Sequence, residues 1–344
     1  MSNRSIALTL TFSGLLFIFS ELLFRTALTC FDYPFFRPSG YLEKKYYPFI
    51  TTARQCPPKS SNTRNILILG GSVVNTHWSR LEIRLDTLFQ KGYPKIRKFN
   101  FVNVAMPGHN SLDNRIKYNM LKKQRFDLVI FYEGINENRA NNITPELFRP
   151  DYGHIKWYDE INMLASHPEM NITVMPYALH FVYKMIKNKL TNRVYISNEQ
   201  VDPQFSDFGE DIKTAAPYYA NLSAIADLAK QKHEPLLLIK YASYFPAGVK
   251  LTGEIQDKRY FTPCYVVSPV TTWGKPASVI KGIKKHNEML TKVSHENKTY
   301  FLDMAAAMPK DSAMFCDVCH LSEPGAQHFA RQIADYVVSE KILQ

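Results

Sequence analysis

Short, nearly continuous apolar runs alternate along most of this chain with longer stretches in which apolar residues recur every three or four positions. Asn65-Ile66-Leu67-Ile68-Leu69 runs straight into Gly70-Gly71-Ser72. An apolar, β-branched run closed by glycines reads as a buried strand that ends in a tight turn. Phe101 to Val104, Leu128 to Tyr132, Pro235 to Tyr241 and Thr299 to Asp303 have the same character. Amphipathic stretches lie between them. Leu81, Leu85, Leu88 and Phe89 share a helical face, and helices are predicted over about 217–232 and 277–295. A last helix opens at Ser322, carries Pro324 in its first turn, and shows Ala326, Phe329, Ala330, Ile333, Ala334, Val337 and Val338 as its apolar stripe. Met106-Pro107-Gly108-His109-Asn110-Ser111 forces a turn before a further helix, with Ser111 as its expected N-cap. Strands that alternate with helices predict a five-stranded parallel sheet covered on both faces, a three-layer α/β/α domain.

The ends of the chain and its middle depart from this rhythm. Ile6 to Phe24 is almost continuously apolar, a length that matches one membrane crossing. Ala27-Leu28-Thr29 is a poor cleavage site, and with Cys30 a poor lipid-attachment site, which favours an uncleaved anchor over a signal peptide. Arg25, Arg37, Lys44 and Lys45 outnumber Arg4 across the segment, so charge alone does not choose the orientation. The expected organisation is an anchor or signal over 1–24, a proline-rich stalk over 25–64 without sustained period, and the α/β domain over 65–344. An insertion at about 140–215, rich in Asn, Tyr, Pro and Met, has helical character mainly from Tyr177 to Lys189 and reads as a lid or substrate wall.

Composition narrows the partners. The 344 residues are 45% hydrophobic and 21% charged, as in globular proteins, which excludes a disordered chain. Lys and Arg exceed the acids to give a formal net charge of +11, which favours anionic surfaces such as lipid headgroups or acidic glycans. No basic run of nucleic-acid type occurs, so nucleic acid is not an expected partner. Cys30, Cys56, Cys264, Cys316 and Cys319 permit up to two disulfides, with pairing open, or buried free thiols.

Candidate chemistry lies at opposite ends of the domain. Asp317 precedes His320 by one helical turn's spacing just before the last helix, and a neutral imidazole held by a carboxylate is a general base. Ser72 stands at the carboxyl end of the first strand, where open α/β sheets bind ligands. A serine hydroxyl becomes an effective nucleophile when such a base takes its proton. Gly-Gly-Ser could also cradle a phosphate, but no G-x-G-x-x-G or Walker lysine follows. Cys316-Asp317-Val318-Cys319-His320 is formally a C-x-x-C-H haem-attachment pattern, and could alternatively be a redox pair or part of a metal site. Sequons at Asn142, Asn171, Asn221 and Asn297 carry meaning only in a eukaryotic secretory setting.

Taken in order, a serine after the first strand, Gly108 after the second, Gly134-Ile135-Asn136 after the third and Asp-x-x-His before the final helix resemble the SGNH, or GDSL-type, hydrolase family. The resemblance covers residues from about 65 to the C-terminus. It implies Ser72 as nucleophile, Asp317 and His320 as the rest of a triad, and an oxyanion hole from the Ser72 and Gly108 N–H groups and the Asn136 side chain. Gly71 stands where the family name has Asp, and Glu137 where Gly-x-Asn-Asp is usual. The expected activity is hydrolysis of an acyl ester on a glycan, such as an O-acetyl group, or on a lipid, by an extracytoplasmic domain held at a membrane. The same triad would serve an O-acyltransferase, and a degenerate member would be a glycan- or partner-binding protein. This chemistry calls for no cofactor and no metal.

Overall fold

In a computed structural model, which describes residues 3–58, 60–197, 199–253, 255–265 and 267–344, the chain forms helices and strands in alternation. They are α1 (Asn3–Thr29), β1 (Thr63–Gly70), α2 (Leu81–Gly92), β2 (Lys98–Asn103), α3 (Ser111–Met120), β3 (Leu128–Tyr132), α4 (Lys156–Ala165), α5 (Met175–Leu190), α6 (Ala215–Lys232), β4 (Leu236–Ile239), α7 (Pro276–Asn297), β5 (Tyr300–Leu302) and α8 (Glu323–Ser339). Two compact units result: Phe49–Ile155 with Ile196–Gln344, and Met1–Pro48 with Lys156–Tyr195.

The larger unit carries the predicted five-stranded parallel sheet, in the order β2-β1-β3-β4-β5. Side chains alternate across a strand, so a sheet covered on both faces buries both sets. Ile66 and Ile68 join the core formed with Leu85 and Phe89 of α2 and Phe329 and Ile333 of α8. Leu67 and Leu69, one residue out of step, are buried as well, and helices α3, α6 and α7 pack in series. Each such side chain contributes ~1.5–3 kcal/mol.

The chain leaves β1 toward β2 on one side and returns to β3 on the other. This reversal opens a crevice at the carboxyl ends of β1 and β3, where α/β sheets bind ligands. Gly70 and Tyr132, the last residues of those strands, are register partners, so the turns after β1 and β3 are delivered to one place.

The smaller unit holds α1, whose apolar window has a mean hydropathy of 2.0 and is 0% buried. It is long and apolar enough to cross a membrane. Near its end Glu21 accepts from the Thr173 hydroxyl and the Val174 N–H and pairs with Arg25 at 2.7 Å. Arg25 in turn donates to the Phe35 and Ile172 carbonyls.

Local details differ from the sequence reading. Asn110, not Ser111, caps α3: its Oδ1 accepts the Leu112 and Asp113 N–H groups while Asp113 accepts the Asn110 N–H, a capping box that satisfies orphan donors of the first turn. The Ser111 hydroxyl instead accepts from Asn221. The proline-rich stretch holds short helices at Gly40–Tyr46 and Ile50–Ala53, whose order comes from burying Tyr46, Tyr47 and Ile50 rather than from a sustained period.

Candidate active site

The turn after β1 is built by close approach. A side chain on Gly71 would run into the Glu133 carboxyl and come within 2.8 Å of Asn136 Nδ2, so a larger residue there would have to displace both. Ser72 then opens a short 3-10 turn, Ser72–Val74, that presents its hydroxyl at the crevice.

His320 arrives from the other end of the domain on a loop pinned three ways. Cys316 is disulfide-bonded to Cys264, its N–H donates to the His320 carbonyl at 2.7 Å, and Phe315 bridges Leu321. Asp317 Oδ1 accepts the N–H groups of Cys319 (2.9 Å) and His320 (2.8 Å). Its Oδ2 takes the Ser268 N–H at 2.7 Å and lies 2.6 Å from His320 Nδ1. Burial alone would raise the Asp317 pKa, but the facing imidazole and these N–H donors outweigh it and hold the carboxyl below its ordinary range. His320 Nε2 lies 2.7 Å from Ser72 Oγ. With Nδ1–H donated to an ionised Asp317, Nε2 is the acceptor for the serine proton. The Trp78 ring covers the imidazole at 3.9 Å between centroids and Trp273 flanks it at 6.2 Å.

The other two predicted positions meet at the same crevice. Met106 to His109 forms a turn closed by His109 N–H to the Met106 carbonyl, with Pro107 at its second position and Gly108 at φ +78°, the type II pattern that requires a left-handed third residue. Asn136 Nδ2 donates to the His109 carbonyl (2.9 Å) and to Glu133 Oε2 (3.2 Å). Trp273 Nε1 donates to Asn136 Oδ1 at 2.9 Å, which fixes which end of the amide faces Gly71. The Asn136 N–H closes the ring to Glu133 Oε1 at 2.8 Å.

Sequence reasoning missed Trp78, Trp273 and Glu133. Tryptophan is rare in this chain, which is the signal that was present; Trp78 lies in a short helix, Thr76–Ser79, and Trp273 in a loop-rich segment. Glu133 lies in a turn whose sequence draws attention only to Gly134 and Asn136. Glu133 and Glu137 are both buried, and burial pushes their carboxyls up to about 8 and about 7. Glu137 holds the Ser111 N–H and the Tyr152 hydroxyl, each at 2.5 Å. A cavity of about 370 Å³ opens beside His320, between Val73, His77 and Trp78 on one side and Thr262, Pro263 and Tyr265 on the other.

Competing uses of these residues fare poorly. With Cys316 bonded to Cys264, Cys316 and Cys319 form neither a haem-attachment nor a redox pair. Asp317, Cys319 and His320 present donor atoms within 4.8 Å of one another, yet both imidazole nitrogens are already engaged by Ser72 and Asp317. Cys319 is buried, and burial raises its thiol well above the ordinary value, leaving it unreactive. Asn142 and Asn221 are buried and cannot accept glycans.

No protein-family profile and no curated protein matches the sequence. Similar solved structures include a candidate acylhydrolase from Bacteroides fragilis, with 11% identity over 87% of this chain and 97% of that one at a TM-score of 0.48. They also include an acetylxylan esterase from Geobacillus stearothermophilus, with 14% identity over 80% and 94% at 0.43. A third is a lipase/acylhydrolase from Enterococcus faecalis, with 15% identity over 80% and 96% at 0.42.

Proposed function

We propose that this chain is an SGNH-type serine esterase, held at a membrane by α1, that hydrolyses an ester-linked acyl group on a glycan or lipid. The observation that carries the reading is the hydrogen-bonded series Ser72 Oγ, His320 Nε2, His320 Nδ1, Asp317 Oδ2, with links of 2.7 and 2.6 Å between side chains.

In this mechanism Ser72 Oγ attacks the ester carbonyl while His320 Nε2 takes its proton, and Asp317 stabilises the imidazolium. The carbonyl oxygen becomes an oxyanion and meets the N–H groups of Ser72 and Gly108 and one amide hydrogen of Asn136, turned from its longer bond to Glu133. Collapse breaks the bond to the alcohol, whose oxygen takes the proton from His320, and leaves an acyl-serine. Water repeats the sequence, releasing the carboxylic acid and restoring Ser72. Trp78 and Trp273 exclude bulk water from the imidazole, which strengthens every charge interaction there.

The Cys264–Cys316 disulfide supports an extracytoplasmic domain, since such bonds persist in oxidising compartments. The reading is tested by hydrolysis of a small acyl ester by the detergent-solubilised full chain. Ser72→Ala is expected to cut turnover on the order of 10⁶-fold with an unchanged circular dichroism spectrum. Full activity in that variant refutes the assignment.

A further inference from the structure

Helix α5 turns an apolar stripe to the outside. Met175, Leu179, Val182, Tyr183, Ile186 and Leu190 recur at three- and four-residue spacing, which places them on one helical face. All except Met175 are exposed, Leu190 at 79%, and Ile172 just before the helix is exposed at 85%. The opposite face is engaged within its own unit. Tyr177 and Ala178 are buried, Lys184 pairs with Asp159 at 2.8 Å, and Asn188 donates to the Tyr195 hydroxyl at 2.9 Å. Lys187 and Lys189 flank the apolar stripe on either side.

A large apolar face bounded by lysines is the pattern of a helix that lies in a membrane interface, its apolar side in the acyl boundary and its cations among anionic headgroups. Position supports that occupant over any other. The start of α5 is fastened to the end of α1, through Glu21 to Val174 and Thr173 and through Arg25 to the Ile172 carbonyl. The exposed stripe therefore begins where the apolar span of α1 ends. We propose that α5 is a second membrane contact, seated in the interface of an anionic bilayer on Leu179, Val182, Tyr183, Ile186 and Leu190. The proposal goes beyond the esterase reading and rests on α1 crossing the membrane. It places the smaller unit against the lipid surface rather than on a free tether.

The test uses the full chain reconstituted in phosphatidylglycerol-containing vesicles. Tyr183→Trp adds an emitter on the stripe, and lipids brominated near the glycerol end of the acyl chain quench tryptophan in the interface. Tyr183→Trp is expected to lose a larger fraction of its emission than the wild type, and to lose less when Ile186→Glu is added, with turnover of a soluble ester unchanged. Equal fractional quenching of Tyr183→Trp and wild type overturns the proposal. So does a Tyr183→Trp signal that responds to protein density and not to bromine, with cross-linking between Lys187 residues, since the stripe then meets a second copy. Vesicle flotation separates the two readings: a chain that floats without added quenching loses only the α5 proposal, and a chain that fails to float loses α1 as well.

Discussion

The carboxyl group of Glu133 fills the space beside Gly71 that any larger residue there would need. One acidic side chain from the β3 turn thus packs against the β1 turn, and both of its oxygens are bound by Asn136. The arrangement accounts for a glycine immediately before Ser72. Gly71→Ala is expected to displace Glu133 and Asn136 together. It should cost about 1–3 kcal/mol of stability, as overpacked sites do, and lower ester turnover by more than the unfolded fraction explains. Thermal denaturation and initial rates on the same preparation check this; unchanged values for both would contradict the packing.

Glu133 also makes stability depend on pH. Burial pushes its carboxyl up to about 8, partly opposed by the Asn136 N–H and reinforced by the Glu137 charge, from an ordinary value of 4.5. Between those values the folded chain holds a proton that the unfolded chain lacks. This group's contribution is therefore full below about pH 4.5 and is lost as pH rises toward 8. Glu137, raised to about 7, adds to that trend. Lys117, lowered by burial to about 7, opposes it above that pH, and His109, His154 and His286, lowered by burial to about 4, oppose it in acid. Glu133→Gln removes the first contribution alone. The melting temperature of the variant minus that of the wild type should rise by several degrees between about pH 5 and about pH 8, as read by calorimetry; a constant difference would count against a buried neutral Glu133.

Asn136 is held from behind by Trp273. Asn136→Ala is expected to lower kcat by about 10²–10³ with little change in KM, the signature of a donor used in the transition state. Trp273→Phe keeps the ring but leaves the buried Asn136 oxygen without its N–H, a cost of about 1–3 kcal/mol. It should produce a smaller fall in kcat than Asn136→Ala. Equal kcat in Trp273→Phe and wild type would show that the indole does not position the amide.

The disulfide joins cysteines 52 positions apart and closes a loop that carries Ser268 and Trp273 and ends at the residue before Asp317. Chain-entropy reasoning assigns such a loop about 4 kcal/mol. Cys264→Ser is expected to lower the denaturation midpoint accordingly and to abolish the sensitivity of the wild type to reductant. A reductant-insensitive wild type would contradict the pairing.

The sheet was legible because its central strands β1, β3 and β4 are apolar runs, as expected of strands covered on both faces. Ser72 and the Asp317–His320 pair stand at a strand end and before a helix start that pattern locates, whereas Gly108 and Asn136 were singled out only by the order of motifs that resembles the SGNH family. Their surroundings were not legible. Glu133 reads in sequence as a polar turn residue, and its burial depends on Gly71, far away in the chain. Trp273 comes from a loop whose course no periodicity sets. The short helices before residue 54 are ordered by buried tyrosines, a tertiary effect that composition does not reveal. The pairing of Cys264 with Cys316 was one of several open to five cysteines.

The central claim is that Ser72 is an activated nucleophile, and intact mass after brief exposure to a fluorophosphonate tests it most directly. The detergent-solubilised full chain is expected to gain one adduct that is missing from Ser72→Ala and strongly slowed in His320→Ala. A folded wild-type chain that gains no adduct, or an adduct that persists in Ser72→Ala, would contradict the account.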